Sequence, residues 1–176
     1  MTLIDQFCGG NPSADDFRDS VKYSRHDATT LCDYGVYDRV LCSVPSYSDR
    51  RAAGEDDNNI FAGQLTRARL EMPEKQRDLL KAGLMYLKPG GSLVYSTSTL
   101  SPIQNEGVVT MALKELWEEE ATAAFVVEDL TTALRPFKFL CRILGANEGV
   151  RLGNQVVPHL SNNFGPAYIC KITRKA

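Results

Sequence analysis

Residues 94–109, VYSTSTLSPIQNEGVV, decide the fold of this chain. An apolar run typical of a buried β-strand ends in a small, polar turn, and Ser101-Pro102 then predicts the start of a helix. The first turn of that helix carries the polar sequence Gln-Asn-Glu at 104–106. A strand that leads through a short turn into a helix is the repeating unit of an α/β sheet, so this stretch predicts that class.

Strand-like and helix-like segments alternate along the rest of the chain. Strands are predicted at 21–24, 37–44, 92–96, 125–130, 155–160 and 168–173, and helices at 72–87 and 102–120. Pro73 suits a first helical turn, and KPGG at 88–91 suits a turn into the next strand. Residues 135–149 fit no element clearly. The pattern predicts a partial Rossmann-like fold with a mostly parallel sheet.

The second predicted helix is amphipathic. Its apolar side chains recur at helical spacing and are expected to face the core: Val108, Val109, Ala112, Leu113, Leu116 and Trp117.

The composition and charge of the chain limit the classes of function that it can have. The chain has 176 residues, 43% hydrophobic and 24% charged, which fits one domain with its own core. A net charge of -2 does not indicate a dedicated polyanion binder, and no segment is apolar enough to span a membrane. Five cysteines with no CxxC pattern and two distant histidines favour free thiols over a metal site or disulfides. Residues 1–7 are too short and too acidic for a targeting peptide.

Three segments together resemble the Nsun (Fmu/Sun) family of RNA cytosine-5 methyltransferases. They are DRVLCSVPSYSDR at 38–50, LKPGGSLVYSTSTLSPIQNEGVV at 87–109 and NNFGPAYICKITR at 162–174. The resemblance runs from about Val21 to the C-terminus and is nearest to the mitochondrial ribosomal-RNA branch. It implies the C-terminal two-thirds of a class I S-adenosylmethionine-dependent methyltransferase domain, residues 1–176, lacking the first two strands.

The family uses two cysteines, one in a Thr-Cys pair that attacks cytosine carbon 6 and one in a Pro-Cys pair that assists product release. Ser98 stands at the first place and Ser46 at the second. Ser43 replaces the family's aspartate two residues before the proline, which contacts cofactor and base. A serine hydroxyl needs a strong neighbouring base to attack, and neither histidine is near in sequence. Ser98 therefore reads either as an unusual nucleophile or, more simply, as a polar residue at a strand end.

The resemblance implies S-adenosyl-L-methionine as cofactor, but much of its site is missing. No Gly-rich turn follows a first strand, and the acidic residue that binds the cofactor ribose is absent. Asp27 and Ala28 match the family's adenine-contacting position. A turn aspartate that binds local backbone amides explains Asp27 equally well.

The resemblance also implies an RNA partner and, in this branch, an mTERF-family protein or a ribosomal assembly, with mitochondrial localisation. A phosphate-facing cluster of four arginines is one interpretation of the loop region: Arg50, Arg51, Arg67 and Arg69. A solvated mixed-charge loop is the alternative, because Glu55, Asp56 and Asp57 nearly cancel that charge. Residues 162–166 (NNFGP) lie near the target base in the family and also read as a plain turn.

Three hypotheses follow. The chain is a degenerate methyltransferase-like scaffold in a ribosomal complex, an active methyltransferase with an altered nucleophile or a complementing subunit, or one part of a split enzyme. The family's strand order is 3-2-1-4-5-7-6. We therefore expect the missing strands to leave the 37–44 strand with an open edge, closed by pairing with 21–24 or by another chain.

Overall fold

The structure is a computed structural model that describes residues 25–30, 34–50, 66–119, 124–159 and 161–176. For residues 66, 68 and 69 it describes the backbone alone. Within these ranges, six strands form one mixed sheet and two long helices cover one face of it. No helix in this part of the chain is long and apolar enough to cross a membrane.

The sheet begins with a parallel pair. Strand β1 (Tyr37–Ser43) runs parallel to β2 (Leu87–Thr97), and helix α1 (Thr66–Met85) lies between them in sequence. Parallel neighbours require such a crossover, because the chain must return to the same end of the sheet. The carboxyl ends of both strands therefore lie at one edge.

The last strand organises the other half of the sheet. Strand β6 (Ala167–Arg174) runs antiparallel to β2 on one side. Its other side is divided, with β3 (Phe125–Glu128) along its C-terminal half and β5 (Asn154–Pro158) along its N-terminal half. Strand β4 (Cys141–Leu144) pairs with β5 at the outer edge.

This topology confirms the expected Rossmann-like architecture, but the prediction of a mostly parallel sheet was wrong. Among the described strands, β1 and β2 pair in parallel and the four other pairs are antiparallel. The order β1-β2-β6-β3 reproduces the 4-5-7-6 portion of the family's sheet. The segment 135–149, which the sequence left unassigned, forms a short 3₁₀ turn at Arg135–Phe139, strand β4 and a second 3₁₀ turn at Ala146–Glu148. None of the described strands corresponds to the family's first two, and the predicted 21–24 strand lies outside the described residues.

Helix α1, helix α2 (Val108–Glu118) and strands β2 and β6 share one apolar core. Side chains in β6 alternate, so Tyr168, Cys170 and Ile172 are buried on the helix-covered face. Eleven of the side chains in this core are fully buried: Leu80, Leu84, Leu87, Leu93, Tyr95, Val108, Val109, Ala112, Tyr168, Cys170 and Ile172.

The prediction for Trp117 was wrong. Its side chain is 80% exposed, whereas Val108, Val109, Ala112 and Leu116 are buried as expected. Those four residues define the core-facing stripe of α2. Trp117 follows Leu116 by one position, which rotates it about 100° around the helix and out of the stripe.

Two predicted boundaries also move. Helix α1 begins at Thr66 rather than at 72, so Pro73 lies inside the helix, where its missing N–H removes one backbone hydrogen bond. Strand β2 begins at Leu87 rather than at 92, because KPGG forms an irregular bulge within the pairing to β1. The register passes from Tyr37↔Leu87 to Arg39↔Ser92, and Gly90 takes a φ of 78° inside the bulge.

Strand β1 lies at one end of the described sheet. Leu41 in this strand is 73% exposed and Tyr37 is 45% exposed. Such exposure is unusual for apolar side chains in a strand next to a core. The predicted closure of this edge by residues 21–24 or by another chain remains a prediction, since those residues lie outside the description.

Two glycines with positive φ provide a matched test of the β5–β6 junction. A Cβ on Gly153 (φ 72°) would lie 2.7 Å from the Tyr168 hydroxyl and 2.8 Å from the Ile169 carbonyl, whereas one on Gly149 (φ 92°) would meet nothing within 4 Å. Both Gly→Ala variants incur backbone strain, but only Gly153→Ala adds a clash. We expect Gly153→Ala to reduce the free energy of unfolding by at least about 2 kcal/mol more than Gly149→Ala. Urea denaturation measures this, and equal losses would contradict the packing described.

Candidate functional site

The two predicted site serines meet at the carboxyl edge of the parallel pair. Ser43 and Ser96 are register partners at the ends of β1 and β2. Just beyond them, the Ser46 Oγ lies 3.3 Å from the Ser98 Oγ, and the Ser98 backbone N–H donates to the Ser46 Oγ at 3.0 Å. Ligand sites of open α/β sheets form at this edge, so the location agrees with the predicted site.

No base accompanies the serine pair in the described part of the chain. The Ser98 hydroxyl has one hydrogen-bond partner there, the Ser46 hydroxyl. His159 Nε2 instead lies 3.4 Å from the Lys138 carbonyl, and His26 is exposed on another segment. A serine hydroxyl is a weak nucleophile unless a neighbouring group removes its proton. Within the described residues, the pair exchanges hydrogen bonds, and neither hydroxyl has a partner there that would take its proton.

A buried asparagine holds the turn that carries Ser98. Asn105 is 3% exposed, and its Oδ1 accepts a 2.6 Å hydrogen bond from the Thr97 hydroxyl. Its Nδ2 donates to the Thr99 carbonyl at 2.9 Å and to the Gln155 Oε1 at 2.8 Å. Its backbone (φ -101°, ψ -105°) leaves the helical region, so the chain is kinked at Asn105 before α2 begins. Asn105 thereby connects β2, the turn and β5.

A buried glutamine supports the second loop. Gln76 on α1 is 0% exposed, and its Nε2 donates to the Pro45 carbonyl at 2.8 Å and to the Gln104 Oε1 at 3.0 Å. The Gln104 carbonyl accepts from the buried Tyr95 hydroxyl at 2.7 Å. Gln76 fixes the position of the Pro45-Ser46 turn relative to the start of α2.

Gln76 was not predicted as a site residue, although its position in the sequence indicates burial. Gln76 precedes Leu80 by four residues and Leu84 by eight, so it shares their buried helical face. A polar side chain on an apolar helical face must find partners inside the protein, which marks it as a candidate for a structural or functional role.

A cleft of about 520 Å³ contains the predicted adenine position. Asp27, Pro45 and Gln76 all line it. The Asp27 Oδ1 accepts hydrogen bonds from the Thr29 hydroxyl at 2.7 Å and from the Thr29 N–H at 2.9 Å. These bonds lower the pKa of Asp27, with the hydroxyl as the larger cause. The local turn that was the alternative for Asp27 is thus formed, on the wall of a cleft.

The other two predicted cofactor residues differ in their surroundings. The Ala28 carbonyl accepts a hydrogen bond from the Tyr86 hydroxyl, which attaches the Asp27 turn to the end of α1. Ser43 is exposed at the end of β1 and does not belong to the described lining of the cleft.

The cleft fits one end of S-adenosylmethionine. The Gln76 Oε1 is buried without a hydrogen-bond partner, and its identity is fixed because the Nε2 donates to a carbonyl. An unpaired buried acceptor suits a ligand N–H such as the amino group of adenine. For the sulfonium and methionine end, the described lining offers no Gly-rich turn, and Ser43 stands where the family has a carboxylate. We therefore derive no methyl-transfer step from these residues.

The predicted arginine cluster is not assembled in the described residues. The Arg50 guanidinium donates to the backbone and side-chain oxygens of Asn163, and Arg67 pairs with Glu71 at 2.8 Å along α1. Arg51 and the side chain of Arg69 lie outside the description. Next to Arg50, the Asp49 carboxylate accepts the Leu100 N–H. Arg50 and Asp49 thus connect the 162–166 turn to the turn that carries Ser98.

The described cysteines cannot replace the missing nucleophiles. Burial raises the pKa of Cys42 to about 11 and that of Cys170 to about 12, so both thiols are protonated at neutral pH. Buried Cys141 lies against the Phe137 carbonyl. These three thiols are free, as predicted, whereas Cys8 and Cys32 lie outside the description. Among the described residues, no group of three or more potential metal ligands occurs.

Removal of the Asn105 side chain tests its structural role. Asn105→Ala removes the buried hydrogen bonds that the Asn105 Nδ2 donates to the Thr99 carbonyl and the Gln155 Oε1. This loss lowers the free energy of unfolding by about 1–3 kcal/mol. We expect that loss in urea denaturation. Asn147→Ala, at an exposed asparagine, is the control and should change stability by less than about 0.5 kcal/mol. Equal stability of the two variants would contradict the role assigned to Asn105.

Comparison with known proteins identifies similar sequences. Residues 17–169 match the family model "16S rRNA methyltransferase RsmB/F". The 5-cytosine rRNA methyltransferase NSUN4 of Xenopus tropicalis is 42% identical over 139 residues, covering 79% of this chain and 33% of that protein. The corresponding Caenorhabditis elegans protein, nsun-4, is 39% identical over 155 residues, covering 84% and 31%. The chain thus spans about a third of the length of these relatives.

More distant relatives support the same grouping. The mouse protein named "tRNA (cytosine(34)-C(5))-methyltransferase, mitochondrial" is 28% identical, covering 88% of this chain and 42% of that protein. Among solved structures, that of NSun6 from Pyrococcus horikoshii with SFG superposes with a TM-score of 0.59 at 23% identity, covering 89% of this chain and 35% of that one. At that identity the superposition supports the fold.

Proposed function

Because this chain belongs to the RsmB/F family of rRNA methyltransferases, we propose that it is an rRNA cytosine-5 methyltransferase-like protein that has lost catalysis. In this proposal it serves as a scaffold or assembly subunit of a ribosomal complex. Residues 1–176 are taken as one methyltransferase-like domain, corresponding to the C-terminal two-thirds of the family's catalytic domain. The family match over residues 17–169 supports that extent.

The observation that carries the proposal is the serine pair. Ser98 and Ser46 stand at the positions of the family's two cysteines, and their hydroxyl oxygens lie 3.3 Å apart. The surrounding supports, Asn105 and Gln76, both donate hydrogen bonds to the backbone of the two turns. The turns around the two serines are held in place, but hydroxyls that no base in the described part of the chain activates stand where the family has thiolates. This combination supports a protein that keeps the family's fold and has lost its catalytic activity.

The cofactor position supports the same conclusion. Membership of the family implies S-adenosyl-L-methionine as cofactor, with Asp27 and Ala28 at the adenine end and Ser43 near the transferred group. Gln76 offers an unpaired acceptor in the same cleft. Ser43 carries no charge with which to attract the sulfonium. We propose that cofactor binding is weak or lost for that reason.

The proposed partner is ribosomal RNA together with a protein of the mTERF family or of a ribosomal assembly. Two rRNA methyltransferases among the relatives support the choice of rRNA. We propose a mitochondrial location from the resemblance to the mitochondrial branch, and the name of the mouse relative is consistent with it.

A second candidate is an active rRNA cytosine-5 methyltransferase completed by another chain or by a further segment. The exposed edge of the sheet favours it. Leu41 in strand β1 is 73% exposed on the strand next to which the family's first strand would pair. A complementing polypeptide would cover that side chain and supply the Gly-rich turn.

A ligand titration separates these candidates. We expect S-adenosylmethionine to bind no more tightly than adenosine by isothermal titration calorimetry, because the cleft offers partners to the adenine end alone. Asp27→Ala should weaken both ligands equally. Micromolar binding of S-adenosylmethionine, at least ten-fold tighter than adenosine, would overturn the proposed loss of cofactor binding.

Restoration of both thiols tests whether the serines are the sole defect. The double variant Ser46→Cys with Ser98→Cys should transfer no methyl group from radiolabelled S-adenosylmethionine to an rRNA fragment above the Ser46→Ala, Ser98→Ala control. The reason is that the transfer end of the cofactor site stays incomplete. Recovered transfer by the double variant would refute that account, and transfer by the unaltered chain would refute catalytic loss altogether.

A further inference from the structure

An exposed strip of basic and aromatic side chains lies outside the serine pair. It comprises five residues of the 3₁₀ turn and strand β4 and is called the 135–142 strip: Arg135, Phe137, Lys138, Phe139 and Arg142. Phe139 is 75% exposed and Phe137 is 51% exposed, and the three basic residues are also exposed. One short turn thus carries two largely solvated phenylalanine rings.

The strip is basic within an acidic chain. Residues 130–147 contain three basic residues and no acidic one, whereas the whole chain carries a net charge of -2. Within the described residues, no salt bridge involves Arg135, Lys138 or Arg142. Their charges are therefore available to an anionic partner.

Hydrogen bonds connect the strip to the serine pair. The Leu140 carbonyl, inside the strip, accepts from the Asn162 side chain and from the His159 N–H at 3.4 Å. The next residue in that turn, Asn163, is held by Arg50, and the adjacent Asp49 holds the Leu100 N–H. Phe164 in the same turn is 39% exposed and adds a third aromatic surface between the strip and the Ser98 turn.

We propose that the 135–142 strip binds single-stranded RNA, with bases stacked on Phe139 and Phe137 and phosphates contacted by Arg135, Lys138 and Arg142. Exposed aromatic rings interleaved with unpaired cations match the alternation of bases and phosphates along a single strand. An apolar protein partner would use the rings but not three unpaired cations. The inference rests on the proposed function in one respect, that the protein contacts RNA, and it assigns the surface that makes the contact.

Fluorescence anisotropy with a labelled, unstructured 12-nucleotide RNA tests the strip on the full chain. Phe139→Leu keeps the apolar surface but removes the aromatic plane, so we expect about five-fold to hundred-fold weaker binding. Lys138→Ala should lower the slope of log Kd against log salt by about 0.7, the value for one phosphate contact on a single strand.

Matched controls lie on helix α2. Trp117→Leu removes a ring that is 80% exposed, and Lys114→Ala removes an exposed cation, yet neither belongs to the strip. Both should leave Kd and the salt slope unchanged. If the strip variants match these controls while the unaltered chain binds RNA, the strip assignment is overturned and the proposed function stands. Absence of RNA binding by the unaltered chain overturns both the strip and the RNA role.

Poly-glutamate distinguishes an acidic protein partner from RNA. We expect it to compete with RNA weakly and to be insensitive to Phe139→Leu, because it has no ring to stack. Equal loss of poly-glutamate binding in Phe139→Leu would overturn the RNA assignment in favour of a protein partner. Methyl transfer is not measured in any of these arms, so catalytic loss is tested separately.

Discussion

The rest of the site depends on the hydrogen bonds that the carboxamide of Asn105 makes. It is buried where a strand, a turn and a helix start converge, and it binds the Thr97 hydroxyl, the Thr99 carbonyl and the Gln155 side chain at once. In a low-dielectric interior such bonds are strong, and each of them would be costly to leave unmade. The backbone departs from helical geometry at Asn105, so the chain is kinked at the point where this side chain is buried. Asn105 therefore sets the position of Ser98 but is not itself one of the candidate catalytic residues.

Much of the fold could be predicted from the sequence. The apolar runs at 37–44, 92–96 and 168–173 became β1, β2 and β6, because nearly continuous hydrophobicity is typical of strands inside a sheet. The strand predicted at 155–160 became β5, but its partner β4 could not be predicted, since Cys141–Leu144 is only four residues long and follows a 3₁₀ turn without strand periodicity. The burial of Trp117 was predicted wrongly, because the apolar character of a residue beside the buried face of a helix does not decide whether its side chain points to the core or to solvent.

The proximity of the two candidate serines could be predicted, but the side chains that support their turns could not, and the roles of the serines stay predictions. Parallel strands bring their carboxyl ends together, so the proximity of Ser46 and Ser98 followed from the order of the elements. The pairing of Gln76 with Pro45 joins residues 31 positions apart and depends on how α1 packs on the sheet. No local pattern encodes such a pairing. Arg50 and Arg67 find partners in tertiary structure and in the same helix, and the predicted cluster of four arginines stays a prediction, because Arg51 and the side chain of Arg69 lie outside the description.

The divided edge of β6 has a consequence for how this fold assembles. Strands β2, β3 and β5 all pair with β6, and the pairing of Tyr95 with Cys170 spans 75 residues of chain. Until Ala167–Arg174 has been synthesised, these three strands lack a shared partner, and their open edges are exposed to other nascent chains. Contacts of such long range also slow folding, because the loop entropy is lost before the pairing energy is gained. Strand β2 therefore keeps one edge open until β6 has been synthesised.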